Sequence, residues 1–160
     1  MRKKTKIKNH PVEPDNNYNS LIVARLINKI MCGGKKDKAR GIVYQALQII
    51  EKNLKNPPVD VLEKASENLE PELELKSQKR GGVKLQVPHE ISANRKKIIS
   101  LYWLVTATRE RKKKEVKPMF QRLAEEITNA YNKTGEAYKK KENMHKMAIA
   151  NLAFAYNLRK

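Results

Sequence analysis

Apolar residues recur at three- and four-residue steps along most of this chain, and the period changes once. Leu21, Ile22, Val23, Leu26, Ile27, Ile30 and Met31 follow Ser20 at helical spacing, and Gly33-Gly34 ends the segment as positive-φ residues beyond a last turn do. Ser20 is the predicted cap of this helix. Asp37 is the predicted cap of the next, whose inward face carries Ile42, Val43, Ala46, Leu47, Ile49 and Ile50. Asn56-Pro57-Pro58 introduces a third helix, with Val61, Leu62, Ala65 and Leu69 on one face and Pro71 stopping it. The period then drops to two. Leu73 and Leu75 precede Gly81-Gly82, and Val83, Leu85 and Val87 follow it, which predicts a β-hairpin over residues 72–88 with Pro88 closing the second strand. Helical spacing returns over 95–111, with Ile98, Ile99, Tyr102, Trp103, Val105 and Thr106 at or near one side. Beyond a break at Lys112 to Lys114 and Pro118 it recurs, with Val116, Phe120, Leu123, Ala124, Ile127 and Tyr131 read as inward. Gly135 interrupts, and a last helix or helix pair runs from 136 to about 156 with Met144, Met147, Ala148, Leu152 and Ala155 packed.

The fold class that follows is mainly α: about six helices in one domain, with a protruding β-hairpin between the third and fourth. Residues 1–19 read as a basic N-terminal arm rich in proline and asparagine, 20–156 as a helical RNA-binding domain, and 157–160 as a short basic tail. A domain of this length buries roughly 70% of its unfolded surface, so a true core is available.

Charge changes the picture from fold to partner. The chain holds 35 Lys and Arg against 17 Asp and Glu, a net +18, far beyond what solubility requires. Lys76, Lys79, Arg80 and Lys84 crowd the hairpin turn, where they repel one another unless a polyanion lies alongside. The other clusters fall mostly at element ends, which leaves apolar faces free for packing. That distribution suits a globular body gripping folded RNA at several points, phosphate contacts positioning it and shape supplying selectivity. A DNA-binding architectural or regulatory protein using the hairpin as a groove ribbon is the alternative.

Catalytic and cofactor chemistry find no support in the sequence, and no metal site or cofactor is expected. His10 lies in the arm, His89 follows a proline, and His145 sits on a basic helix; each reads as structural or surface. Cys32 is the single cysteine, which excludes a disulfide framework and fits a reducing compartment; it reads as a small residue at a helix end. Gly33-Gly34-Lys35-Lys36 lacks the spacing of a phosphate loop and follows a helix. Glu72 and Glu74, and Glu125 and Glu126, read as solvated carboxylates beside lysines. Trp103, Tyr102, Phe120 and Tyr131 are read as core rather than stacking residues, because they share helical spacing with aliphatics. No apolar stretch follows the basic start and none approaches the roughly 20 residues of a membrane span, so the protein is expected to stay where it is made.

The order of the motifs resembles the universal small-subunit ribosomal protein seven family, in its bacterial or organellar form. The resemblance runs through Tyr18-Asn19-Ser20, Ile27-Asn28-Lys29-Ile30-Met31, Gly33-Gly34-Lys35-Lys36 and Ala65-Ser66-Glu67-Asn68-Leu69-Glu70-Pro71. It continues through Gly81-Gly82 with Gln86-Val87-Pro88, and through Lys140-Lys141-Glu142-Asn143-Met144-His145-Lys146-Met147-Ala148 to Ala150-Asn151 and Ala153-Phe154-Ala155. Leu85 replaces an aromatic residue, Gln78 and Lys79 stand where arginines are usual, and the aromatic ending of bacterial relatives is missing. The resemblance implies a non-enzymatic structural protein that binds small-subunit ribosomal RNA first and nucleates assembly of the head, the 3′ major domain. It places the protein in the cytoplasm, or in an organelle, within the ribosome, near exit-site transfer RNA and the messenger path at the subunit interface.

Carried over by position, Arg2, Lys3, Lys4, Lys6, Lys8, Lys29, Lys35, Lys36, Arg95, Lys96, Lys97, Arg109, Arg111, Lys112, Lys113 and Lys114 would hold ribosomal RNA. Lys79, Arg80, Gly81, Gly82 and Lys84, with Lys139, Lys140 and Lys141, would face transfer RNA and messenger RNA. The last helix would meet the proteins numbered nine and eleven of that subunit.

Overall fold

The computed structural model describes residues 11–80, 82–111 and 116–152. Six helices and one hairpin follow in order: α1 (Leu21–Ile30), α2 (Lys36–Leu54), α3 (Pro58–Leu69), β1 (Leu73–Arg80), β2 (Val83–Glu90), α4 (Ala93–Arg111), α5 (Met119–Tyr131) and α6 (Gly135–Ala150). This is the mainly α architecture expected, with the ribbon between the third and fourth helices.

α5 is the axle of the bundle, touching α2, α3, α4 and α6. Its buried face, Leu123, Ala124, Ile127 and Ala130, alternates large with small side chains, so neighbouring helices approach closely at the alanines. Around it pack Val23, Leu26 and Ile27 of α1, Val43, Leu47 and Ile50 of α2, Leu62 and Leu69 of α3, and Leu101 and Leu104 of α4. Within this layer the Ser66 and Ser100 hydroxyls meet at 2.7 Å between α3 and α4, and Ser100 also donates to the Lys97 carbonyl at 3.0 Å.

Several helix ends differ in detail from the expectation. Ser20 sits at the N-cap of α1 without a side-chain capping bond. The neighbouring turn is instead held by buried Asp15, which accepts the amides of Asn17 and Tyr18 and, at 2.8 Å, the Tyr44 hydroxyl. Burial first, and then this carboxylate, push the Tyr44 phenol up to about 12. Asp37 does not cap α2: Lys35 holds the N-cap position, and Asp37 lies in the first turn paired with Arg40 at 2.9 Å. Pro88 does not close β2. It lies within the strand opposite Leu75, and pairing continues to Leu73–Glu90. A two-stranded ribbon leaves every second amide pointing away from its partner, so a proline is tolerated there.

The packed face of α4 is also rotated from the one expected. Ser100, Leu101, Trp103, Leu104, Val105, Ala107 and Thr108 are buried, while Ile98 and Tyr102 stand in solvent. On α6 the inward residues are Ala137 and Ala148; Met147, and Leu152 just beyond the helix, are exposed rather than packed, while residues 153–156, Ala155 among them, lie outside the described residues. A chain of residues with helical spacing does not say which side faces the core when apolar and polar positions interleave around the whole cylinder, as they do on both of these helices.

Candidate nucleic-acid interface

The hairpin has a fixed base and an open end. At the base, β1 packs against α6, and Val87 and Pro88 of β2 are buried. Glu74 is buried rather than solvated, and it binds Arg95 Nε at 2.6 Å and Lys76 Nζ at 3.4 Å. The hydrogen bond from Arg95 holds the Glu74 carboxyl below its usual range against the opposing effect of burial, with Lys76 assisting. Near the turn the character changes. Lys79 and Lys84 are directly opposed in the ladder and both exposed, an arrangement that like charges disfavour in isolation. Gly82 takes φ +87°, the conformation a two-residue turn asks of glycine. Gly81 lies outside the described residues.

A second cationic surface lies at the turn between α1 and α2. Gly33 and Gly34, at φ +59° and +72°, reverse the chain with nothing packed over them, and Lys29, Lys35 and Lys36 stand exposed around the reversal. None of the three has an ion pair among the described residues. A shallow cleft of about 320 Å³ adjoins them, bounded by residues 11–16, Asn28, Lys36 and Arg40. At the start of α4, Lys97 is exposed and Lys96 half-buried beside Arg95.

Other predicted RNA ligands are bonded into the fold. The last four carbonyls of a helix lack intrahelical donors, and here side chains from distant helices supply them. Arg109 donates to the carbonyls of Ile30 and Lys29 at the end of α1, at 3.2 and 3.4 Å. Lys141 reaches the Asn68 carbonyl at the end of α3 at 2.6 Å, and burial lowers its ammonium below the usual lysine value. Asn68 in turn donates to the carbonyls of Ala130 and Tyr131 at the end of α5. Arg122, buried, donates to the Thr108 carbonyl at 3.1 Å in the last turn of α4. Cations at helix C-termini also complement the macrodipole.

Arg111 is tied to carboxylates instead. It meets Glu125 and Glu126 at 3.3 Å each, and Glu126 is fully buried rather than solvated. The other Glu126 oxygen accepts the Ala137 amide at 2.8 Å, which satisfies an orphan donor at the start of α6. Gly135 makes this possible. Its φ is +93°, and a Cβ there would lie 2.9 Å from Asn129 Cβ and 3.0 Å from Glu126 Oε1. Lys140 pairs with Glu110 at 2.7 Å, and Lys139 with Glu136 at 3.5 Å while remaining exposed.

The sequence-derived ligands therefore separate. Lys29, Lys35, Lys36, Lys79, Lys84 and Lys97 face solvent, Arg95 bridges the hairpin base, Arg111, Lys140 and Lys141 are engaged internally, and Arg109 bonds to the end of α1 while remaining exposed. Arg2, Lys3, Lys4, Lys6, Lys8, Lys112, Lys113 and Lys114 lie outside the described residues, as do the end of the chain from residue 153 and the Arg80 side chain. Sequence reasoning missed Arg122 and Asn68 as organising residues; a polar residue on an otherwise apolar helix face was the available signal for Arg122. Among the described residues no three His, Cys, Asp or Glu side chains gather in a metal-binding arrangement, and no helix is long and apolar enough to cross a membrane.

Comparison with known proteins finds relatives along nearly the whole chain. The family model described as ribosomal protein S7p/S5e matches residues 1–152. The chain is 42% identical over 156 residues to the small ribosomal subunit protein uS7 of Chloroflexus aggregans, covering 98% of both chains. It is 48% identical over 145 residues to the protein of the same name from Thermotoga petrophila, covering 91% of this chain and 92% of that one. It is also 48% identical over 145 residues to the uS7 of Dictyoglomus turgidum, covering 91% of each.

Proposed function

The chain belongs to the ribosomal protein S7p/S5e family, and from that premise we propose that it is a primary binder of small-subunit ribosomal RNA that nucleates assembly of the head. It is a structural ribosomal protein of the small subunit, binds ribosomal RNA and has no catalytic task. It acts in translation within the ribosome, which in bacteria is cytoplasmic.

The observation that carries the RNA reading is the set of exposed cations, without an ion pair among the described residues, at separate corners of one helical bundle, the opposed Lys79 and Lys84 foremost. Lys29, Lys35 and Lys36, with Arg95, Lys96 and Lys97 at the other end of α4, are the ribosomal RNA contacts. The hairpin turn with Lys79 and Lys84 faces exit-site transfer RNA and the messenger, and the exposed Lys139 extends that side. Lys140 and Lys141 support it by fixing α6 to the rest of the fold. The exposed Met147 and Ile149 of α6, with Leu152 just beyond it, fit apolar contact with the neighbouring small-subunit proteins nine and eleven.

The test is binding of the purified chain, alone, to a transcript of the 3′ major domain. Six to ten phosphate contacts predict an affinity loss of roughly 10³- to 10⁵-fold between 50 and 200 mM salt, a magnitude taken from duplex DNA. A chain that ignores the transcript until other ribosomal proteins are added is not a primary binder. Equal affinity for duplex DNA would favour an architectural DNA-binding protein.

A further inference from the structure

Arg95, Ile98, Tyr102, Thr106 and Arg109 are spaced three, four, four and three residues apart, and so form one stripe along α4. Its ends are anchored: Arg95 binds Glu74 at the hairpin base, and Arg109 binds the last carbonyls of α1. The stripe therefore joins the two cationic surfaces. Tyr102 stands midway, seven residues from each arginine, or roughly 10 Å along the axis on either side. Its side is open, at 56% exposure, with Ile98 one turn away at 45%, whereas Trp103, next in the chain, is only 8% exposed. The only acid in α4 is Glu110, which is paired with Lys140.

An exposed aromatic ring with an aliphatic neighbour, midway between cationic ends and without a nearby acid on its own helix, complements a polyanion that also offers flat apolar faces. Single-stranded RNA with unstacked bases has that chemistry. We propose that Tyr102 is a stacking platform for an unpaired base of the RNA strand that runs from the hairpin base to the turn between α1 and α2. The inference rests on the ribosomal RNA reading above.

It is tested by titrating the full chain and its Tyr102→Phe and Tyr102→Ala variants with the 3′ major domain transcript at several salt concentrations. Tyr102→Phe keeps the ring and should bind as the parent does. Tyr102→Ala should bind roughly 5- to 150-fold more weakly. Its plot of log affinity against log salt should run parallel to the parent's, because the same phosphates stay neutralised. Melting temperature should be the same in all three. Parental affinity in Tyr102→Ala would leave the ring to some other neighbour and overturn the proposal. Equal losses in both variants would assign the effect to the hydroxyl, and a lower melting temperature in Tyr102→Ala would assign it to the fold; either overturns the proposal. If the parent itself fails to bind, the ribosomal RNA reading falls first, and the inference with it.

Discussion

At the N-terminal end of α4 the cations of the hairpin and of Lys97 stand in solvent, with Arg95 leaning on a single carboxylate. At its C-terminal end Arg109 and Arg111 are bonded to the fold, to α1 carbonyls and to two glutamates of α5. The residue types are the same. The difference lies in what surrounds them: orphaned carbonyls and two carboxylates of α5 at one end, and at the other a two-stranded ribbon with one buried carboxylate at its base and no acid near its turn. A basic protein thus uses part of its charge to hold itself together, and only the remainder is available to RNA.

The contrast breaks most readily at the buried end. Arg111→Ala leaves fully buried Glu126 without its cation, and the expected cost in urea unfolding is about 3 kcal/mol. An unchanged midpoint would show that the ion pair is not holding α5 against the end of α4. Next is Gly135→Ala, at a position that combines φ +93° with a close approach to Asn129 and Glu126, for which about 1 to 3 kcal/mol of strain is expected by the same measurement. A harmless alanine there would mean that α6 can start without the Glu126 cap.

At the hairpin base the effect is smaller and depends on pH. Glu74 titrates below its ordinary value of 4.5 in the folded state, so the stabilisation it gives is complete above that pH and fades as pH falls through the lower folded value. Glu74→Gln should cost about 1 kcal/mol at pH 7, discounted because Arg95 is more than half exposed. The difference from the parent should shrink in acid, and a constant difference from pH 7 to pH 3 would remove the ion pair from the account. The smallest effect belongs at the turn. Replacing Lys79 and Lys84 with alanine relieves a cross-strand repulsion, so stability should stay within about 0.5 kcal/mol of the parent or rise slightly. The same variant should keep ribosomal RNA binding while altering exit-site transfer RNA or messenger handling.

The six helices and the ribbon were legible because their signals are local: a period, a proline, a glycine pair. The division among cations was not. Arg109 and Lys35 look alike in sequence, and the partner that distinguishes them, the end of α1, lies 79 residues from Arg109. Lys141 meets Asn68 across 73 residues. Glu125 and Glu126 are adjacent and chemically identical, yet their side chains are 37% and 1% exposed, because the rotation of about 100° between neighbouring residues of α5 decides which of them points at the start of α6. Tyr102 and Trp103 divide in the same way on α4. In each case the deciding information is the rotation of a helix against neighbours that are distant in sequence.

The most direct test of that division measures two quantities on two variants: salt-dependent affinity for the 3′ major domain transcript, and unfolding in urea. Replacing Lys29, Lys35 and Lys36 with alanine should lower the slope of log affinity against log salt by roughly 2 to 3, at 0.7 to 0.9 for each phosphate no longer neutralised, and leave the unfolding midpoint in place. Replacing Arg109 and Arg111 should do the reverse, lowering the midpoint while the slope holds under conditions where the variant is folded. If the arginine variant keeps its midpoint and loses RNA, or the lysine variant binds with the parental slope, the assignment of cations to fold and to RNA is wrong.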